Sequence, residues 1–179
     1  MVILITGASH TGKTLLAQRM LERFHYPYLS IDHLKMGLIR SGRTGLTPED
    51  DEALTDELWP VVREMIKTVI ENRQDLVVEG CYVPFGWRQD FDGRYLADVR
   101  FVCLAMTEPY IRENFGRIAE YESVIEHRFT GTGLSADRLV KDNAYYTEGF
   151  LNAGEQVTVI GSDFERTLDG VLGRPDFGT

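Results

Sequence analysis

Val2-Ile3-Leu4-Ile5-Thr6-Gly7-Ala8-Ser9-His10-Thr11-Gly12-Lys13-Thr14 decides the fold. Its first five residues are apolar or β-branched on both faces, as in a strand buried inside a parallel sheet. Residues 7–14 match GxxxxGK[ST] in full. From Lys13 to Phe24, the apolar residues Leu16, Ala17, Met20, Leu21 and Phe24 recur at helical spacing, and Pro27 closes the run. A strand, a glycine-bounded loop and a helix form the setting in which such a loop wraps a phosphate. Gly7 and Gly12 permit backbone angles that turn N–H groups inward. The helix adds its unpaired N–H groups and the positive end of its dipole. Lys13 supplies a mobile charge for β- and γ-phosphates, and the Thr14 hydroxyl is placed to ligate Mg²⁺. A plain glycine turn requires neither Lys nor Thr.

Outward from this segment, short apolar runs alternate with helical patterns, which predicts an α/β domain with a parallel sheet. Strands are expected at Tyr28–Ile31, Asp75–Glu79, Val99–Met106 and Gln156–Ile160. Thr47-Pro48-Glu49-Asp50-Asp51 reads as a helix start: a hydroxyl cap, Pro at the first helical position, then acids at the positive dipole end. That stripe runs to about Asn72, with Pro60 expected to kink or split it near Trp59. Further helices are predicted from Glu108 to about Ser123, from Ser135 to Asn152 and from Asp163 to Leu172. Residues 173–179 are expected to fray.

The 179 residues fit one domain, expected over 1–179. With 28 acidic and 19 basic side chains the formal charge is −9, which argues against nucleic acid or an anionic membrane as partner, since both need a basic surface. Fifteen of those bases are Arg, whose planar fork suits phosphate, although genomic composition gives the same bias. Two cysteines, Cys81 and Cys103, make no disulfide framework or zinc cluster. The apolar start is too short for a signal peptide, and no stretch approaches a membrane span, so a cytoplasmic protein is expected.

The Gly7–Thr14 motif and the element lengths around it resemble the P-loop kinases of small molecules, the group that contains adenylate, shikimate and gluconate kinases. The Ser30-Ile31-Asp32 segment adds a weaker similarity to chloramphenicol phosphotransferase and the zeta-toxin-like kinases. The resemblance implies a three-layer P-loop NTPase fold with a five-stranded parallel sheet in the order 2-3-1-4-5. Ligands then lie above the carboxyl ends of the strands. It also implies ATP and Mg²⁺ as cosubstrate and metal, a small-molecule acceptor, and a monomer or homodimer. The acceptor-binding region falls at about 32–60 and the lid at about 112–135.

On that frame, Gly7, Ala8, Ser9, His10, Thr11, Gly12, Lys13 and Thr14 hold the nucleotide, with Ser162 near the adenine. The side chain of His10, at a variable loop position, is given no role of its own. Asp32 follows strand two, where a carboxylate orients or deprotonates an acceptor hydroxyl; capping the helix from His33 is the other reading. Glu79 ends strand three and pairs with Thr14 as a metal ligand, and Gly80 is expected to leave room for ligand. The aromatic run Tyr82 to Trp87 borders the acceptor pocket or else packs without ligand contact.

Arg112 and Arg117 stand for the lid arginines that neutralise the moving phosphoryl. Five residues turn about 140° on a helix, so the two cannot face the same way. Arg128 and the turn Thr130–Gly133 extend the lid. Arg40, Arg43 and Arg88 are candidates for an anionic acceptor. Asp163 either borders the base or caps the last helix. Three functions remain in view: a hydroxyl kinase, a nucleoside monophosphate kinase, and a nucleotide-binding switch or NTPase.

Overall fold

The computed structural model describes residues 1–125 and 134–177. Five strands run parallel: β1 (Val2–Gly7), β2 (Tyr28–Ser30), β3 (Leu76–Glu79), β4 (Val99–Met106) and β5 (Val157–Ile160), in the spatial order β2-β3-β1-β4-β5. This is the predicted order. Helices α1 (Lys13–Phe24), α2 (Ile31–Arg40), α3 (Asp51–Glu71), α5 (Glu108–Ile125), α6 (Ala136–Asn152) and α7 (Phe164–Leu172) connect them, with a single turn α4 (Gly93–Leu96) before β4.

Alternate strand residues feed two cores, which makes three layers. Val2, Leu4, Val78 and Cys103 point to one face, where α3 lays down Leu54, Leu58, Val62 and Ile66 and α6 adds Phe150. Ile3, Ile5, Val77 and Val102 point to the other, covered by Leu16 and Met20 of α1 and Leu168 and Leu172 of α7. All six residues of β1 are buried, because helices cover both of its faces and strands flank both of its edges. At roughly 25 cal/mol per Å² of apolar area, that central strand anchors the loop that leaves its carboxyl end.

Several local expectations move. Thr47 does not cap α3: its amide and hydroxyl both donate to Asp50 Oδ2, at 2.7 and 2.8 Å, in a turn that delays the helix to Asp51. α3 continues through Pro60 as one helix, with Leu54 and Leu58 before the proline and Val62 and Ile66 after it packed into the same core. The C-terminal segment is docked up to Phe177, which is fully buried and accepts a hydrogen bond from the Tyr26 hydroxyl at its carbonyl. Among the described residues no helix is long and apolar enough to cross a membrane.

Candidate active site

The carboxyl ends of β1 and β3 and the amino ends of α1, α2 and α7 enclose a cavity of about 400 Å³. Its wall carries Ser9, His10, Gly12, Lys13, Thr14, Asp32, Glu79, Arg117 and Ser162, all named from the sequence.

The loop is shaped by two tight approaches. At Gly7 (φ 126°) an added Cβ would lie 2.0 Å from the Leu104 carbonyl oxygen, so the chain leaves the sheet there only as glycine. At Gly12 (φ 86°) it would lie 2.6 Å from the Phe164 ring of α7. The Ala8 carbonyl accepts from Lys13 Nζ at 2.7 Å and from the Thr11 hydroxyl at 2.8 Å, which ties the loop to itself. Gly7, Ala8 and Thr11 thus form the frame beneath the cavity rather than its surface. Burial works against the Lys13 ammonium. The neighbouring Cys81, Glu79 and Asp32 outweigh it and hold its pKa above the usual lysine value, so it stays charged at any physiological pH.

Glu79, 1% exposed, ends β3 with Ile5 of β1 on one side and Ser30 of β2 on the other. Glu79 and the Thr14 hydroxyl face one cavity and are hard oxygen donors of the kind Mg²⁺ takes. A magnesium carried by a nucleotide keeps waters and phosphate oxygens, so two protein oxygens suffice. No cluster of three or more His, Cys, Asp or Glu that could hold a metal occurs among the described residues.

Asp32 sits in the first turn of α2, whose N-cap position is Ser30, so the capping role expected as its alternative falls away. Its Oδ1 pairs with Lys35 Nζ at 2.7 Å. Lys35 is itself buried and donates to the Tyr82 hydroxyl at 2.7 Å. The Tyr82 hydroxyl donates onward to Asp51 Oδ1 at 3.2 Å. Burial, with Asp32 and Asp51 nearby, pushes the Tyr82 phenol far up, so it remains a neutral donor.

Other sequence candidates lie elsewhere. Arg112 pairs with Glu108 at 2.8 Å and with Asp137 at 3.0 Å, away from the cavity, while Arg117 lines it. The two arginines face different ways, as their spacing requires. Arg88 grips Glu155 at 2.5 and 3.0 Å, and its guanidinium stacks on Trp87. Arg40 and Arg43 are exposed and outside the cavity wall. The aromatic run is mostly packing: Trp87 is fully buried, and Phe85 sits against Gly149 and Phe150. Gly80 makes room for Ile31, whose Cβ would lie 2.8 Å from an added methyl, and not for a ligand. Asp163 both borders the cavity and caps α7, accepting from the Arg166 amide at 3.0 Å. Arg128 and Thr130–Gly133 fall outside the described residues.

The sequence reading passed over Lys35, and it gave no role to Cys81, Tyr110, Asn114 or Phe164, which complete the wall. His10, assigned only its backbone, lines the cavity from a left-handed conformation (φ 65°).

Solved structures share this fold. A sugar kinase from Janibacter sp. HTCC2649 superimposes with a TM-score of 0.56 at 16% identity, covering 99% of this chain and 98% of that one. A gluconokinase from Sinorhizobium meliloti 1021 gives 0.53 at 17% identity over 96% and 89% of the two chains. A shikimate kinase from Bacteroides thetaiotaomicron gives 0.53 at 16% over 96% and 95%. The chain has the fold of the P-loop small-molecule kinases. The likeness spans almost the whole chain. No protein-family model and no curated protein matches the sequence.

Proposed function

We propose that the chain is a single-domain, ATP- and Mg²⁺-dependent kinase that moves the γ-phosphoryl to a hydroxyl of a small molecule. The observation that carries the reading is the meeting of the phosphate loop with Asp32 in one cavity. Lys13 and the loop amides hold the phosphate tail. Thr14 and Glu79 hold the metal, which when bound neutralises charge on the phosphate oxygens. Arg117 offsets the charge of the phosphoryl in transit, and Ser162 borders the base. The acceptor enters over residues 32–60.

In the transfer the acceptor oxygen bonds to Pγ as the bond from Pγ to the β,γ-bridging oxygen breaks, and that electron pair leaves with ADP. The hydroxyl proton passes to the Asp32 carboxylate. A loose transition state releases this proton late, so an oriented carboxylate serves better than a strong base.

A nucleoside monophosphate kinase needs cations for a phosphate acceptor, and Arg40, Arg43 and Arg88, on which that reading leaned, are outside the cavity wall. The test is ADP release by the purified protein with MgATP against sugars, sugar acids, nucleosides, antibiotics and nucleoside monophosphates. Stimulation by a hydroxyl compound supports the reading. Conversion of a monophosphate to its diphosphate, or hydrolysis stimulated only by a protein partner, replaces it.

A further inference from the structure

We infer that Lys35 is a positioning residue for phosphoryl transfer: its buried ammonium fixes the Asp32 carboxylate against the cavity, with Tyr82 and Asp51 holding the ammonium in turn. The inference rests on the role proposed for Asp32 and concerns a residue that contacts neither nucleotide nor acceptor in that scheme.

An ammonium excluded from water is costly unless its donors are used. The Lys35 side chain is 9% exposed. One of its N–H groups goes to Asp32 Oδ1 at 2.7 Å and a second to the Tyr82 hydroxyl at 2.7 Å. Residues three apart share one face of a helix, so Asp32 and Lys35 meet on one side of α2. Tyr82 comes from the loop after β3, and its hydroxyl accepts from Lys35 while donating to Asp51 at the start of α3. Three elements thus fix one ammonium, and that ammonium fixes one carboxylate oxygen.

A solvated surface pair does not have this form. Exposed i,i+3 pairs hold no fixed geometry, whereas both members here are shielded, with Asp32 18% exposed. An orienting carboxylate loses effect when it rotates, because the acceptor oxygen must sit in line with the bond being broken. Lys35 supplies that restraint through its 2.7 Å contact to Oδ1.

The test uses the full chain with MgATP and with water as the acceptor, measured as steady-state ADP release. A hydrogen bond to a charged group is worth enough that Lys35→Met should lower kcat about 10- to 100-fold. KM for MgATP should stay within about twofold, since nothing in the phosphate loop is touched. Lys35→Arg should recover most of the rate. In an Asp32→Asn background, Lys35→Met should add no further loss, because both changes remove one function. Tyr82→Phe keeps the ring and removes only the hydroxyl. It serves if Lys35→Met does not fold, and it should lower kcat severalfold at unchanged KM.

An unchanged kcat in these variants overturns the inference. So does a loss that Lys35→Arg does not restore, or one that tracks a lowered melting temperature and a raised KM, since a purely structural lysine gives that pattern. A wild-type chain that binds no MgATP, or that releases no ADP with any of the acceptors named above, instead refutes the kinase reading beneath it.

Discussion

Arg88→Ala separates two roles for an arginine that sequence alone offers as an anion reader. Glu155 has 5% of its side chain exposed and is gripped at two points by Arg88, which is itself 49% exposed. Removing one member of a fully buried pair costs about 3–5 kcal/mol, because the other charge is left stranded. An exposed pair is worth about 0–1 kcal/mol. Here one partner is buried and the other half in water, so solvent reaches part of the gap that Arg88 leaves. An intermediate loss of about 2 kcal/mol follows. The guanidinium also lies 4.7 Å from the Trp87 ring centre. Losing that contact adds about 0.5 kcal/mol at so exposed a site.

For a chain of this size each kcal/mol moves the melting temperature by about 2–4 °C, so a fall of roughly 5–10 °C is expected by calorimetry. The urea midpoint should fall with the m-value unchanged. ADP release at 25 °C should keep its kcat and KM. Glu155→Gln in the Arg88→Ala background should regain more than half of the stability, because a stranded amide costs less than a stranded carboxylate. A melting temperature within 1 °C of wild type, or a tenfold rise in acceptor KM at unchanged stability, would show that Arg88 reads a ligand and that the strut assigned to it is wrong.

Lys13→Ala should abolish phosphoryl transfer, about 10³-fold or more, with a melting temperature near that of wild type; retained turnover removes the phosphate clamp. Asp32→Asn should lower kcat about 10²-fold at unchanged MgATP affinity, as measured by calorimetry beside turnover. Of the two thiols, Cys81 lines the cavity while Cys103 is buried, its pKa pushed up to about 12 by that burial. A thiol reagent at pH 8 should therefore label one cysteine in the native chain and two in denaturant, and MgATP should slow the native reaction. The Asp142 carboxyl is held above its usual range by burial, with Arg138 opposing and Asp51 adding to the effect. The folded state thus binds that proton more tightly than the unfolded one, and stability falls as pH rises from about 4 through the folded pKa. Asp142→Asn should leave the melting temperature at pH 7 equal or higher, and a marked drop contradicts this sign.

What could be read in advance follows the physics of each segment. β1 and β4 are legible because a strand covered on both faces tolerates little but apolar residues, and Val99–Met106 matches its predicted bounds. The phosphate loop is legible because its backbone geometry dictates glycine where Leu104 and Phe164 press against it. Arg88 was not: Glu155 lies 67 residues away and only folding brings it near. Phe177 sits in a tail of Gly, Pro and Asp, and nothing local announces that Tyr26 and Arg174 cover it. Pro60 carried a sound local rule that the packing of α3 through Leu54, Leu58, Val62 and Ile66 overrides.

The lid arginines lie between these cases, and they show how far spacing reaches. Helical geometry demanded that Arg112 and Arg117 diverge, and they do; it gave no ground for choosing between them. The choice falls to neighbours. Glu108, one turn before Arg112 and in the first turn of α5, is favoured there by the helix dipole and draws the guanidinium back along the helix. Asp137, at the start of α6, meets it from the facing helix. Arg117 is placed one and a half turns further on, on the side of α5 where Tyr110, Asn114 and Ile118 look into the cavity. An acid four residues before an arginine is visible in any sequence, and it marks the arginine already spoken for. Glu113 likewise stands four residues before Arg117, so spacing alone does not separate the two arginines and the cavity arbitrates: both are exposed, and only Arg117 borders it.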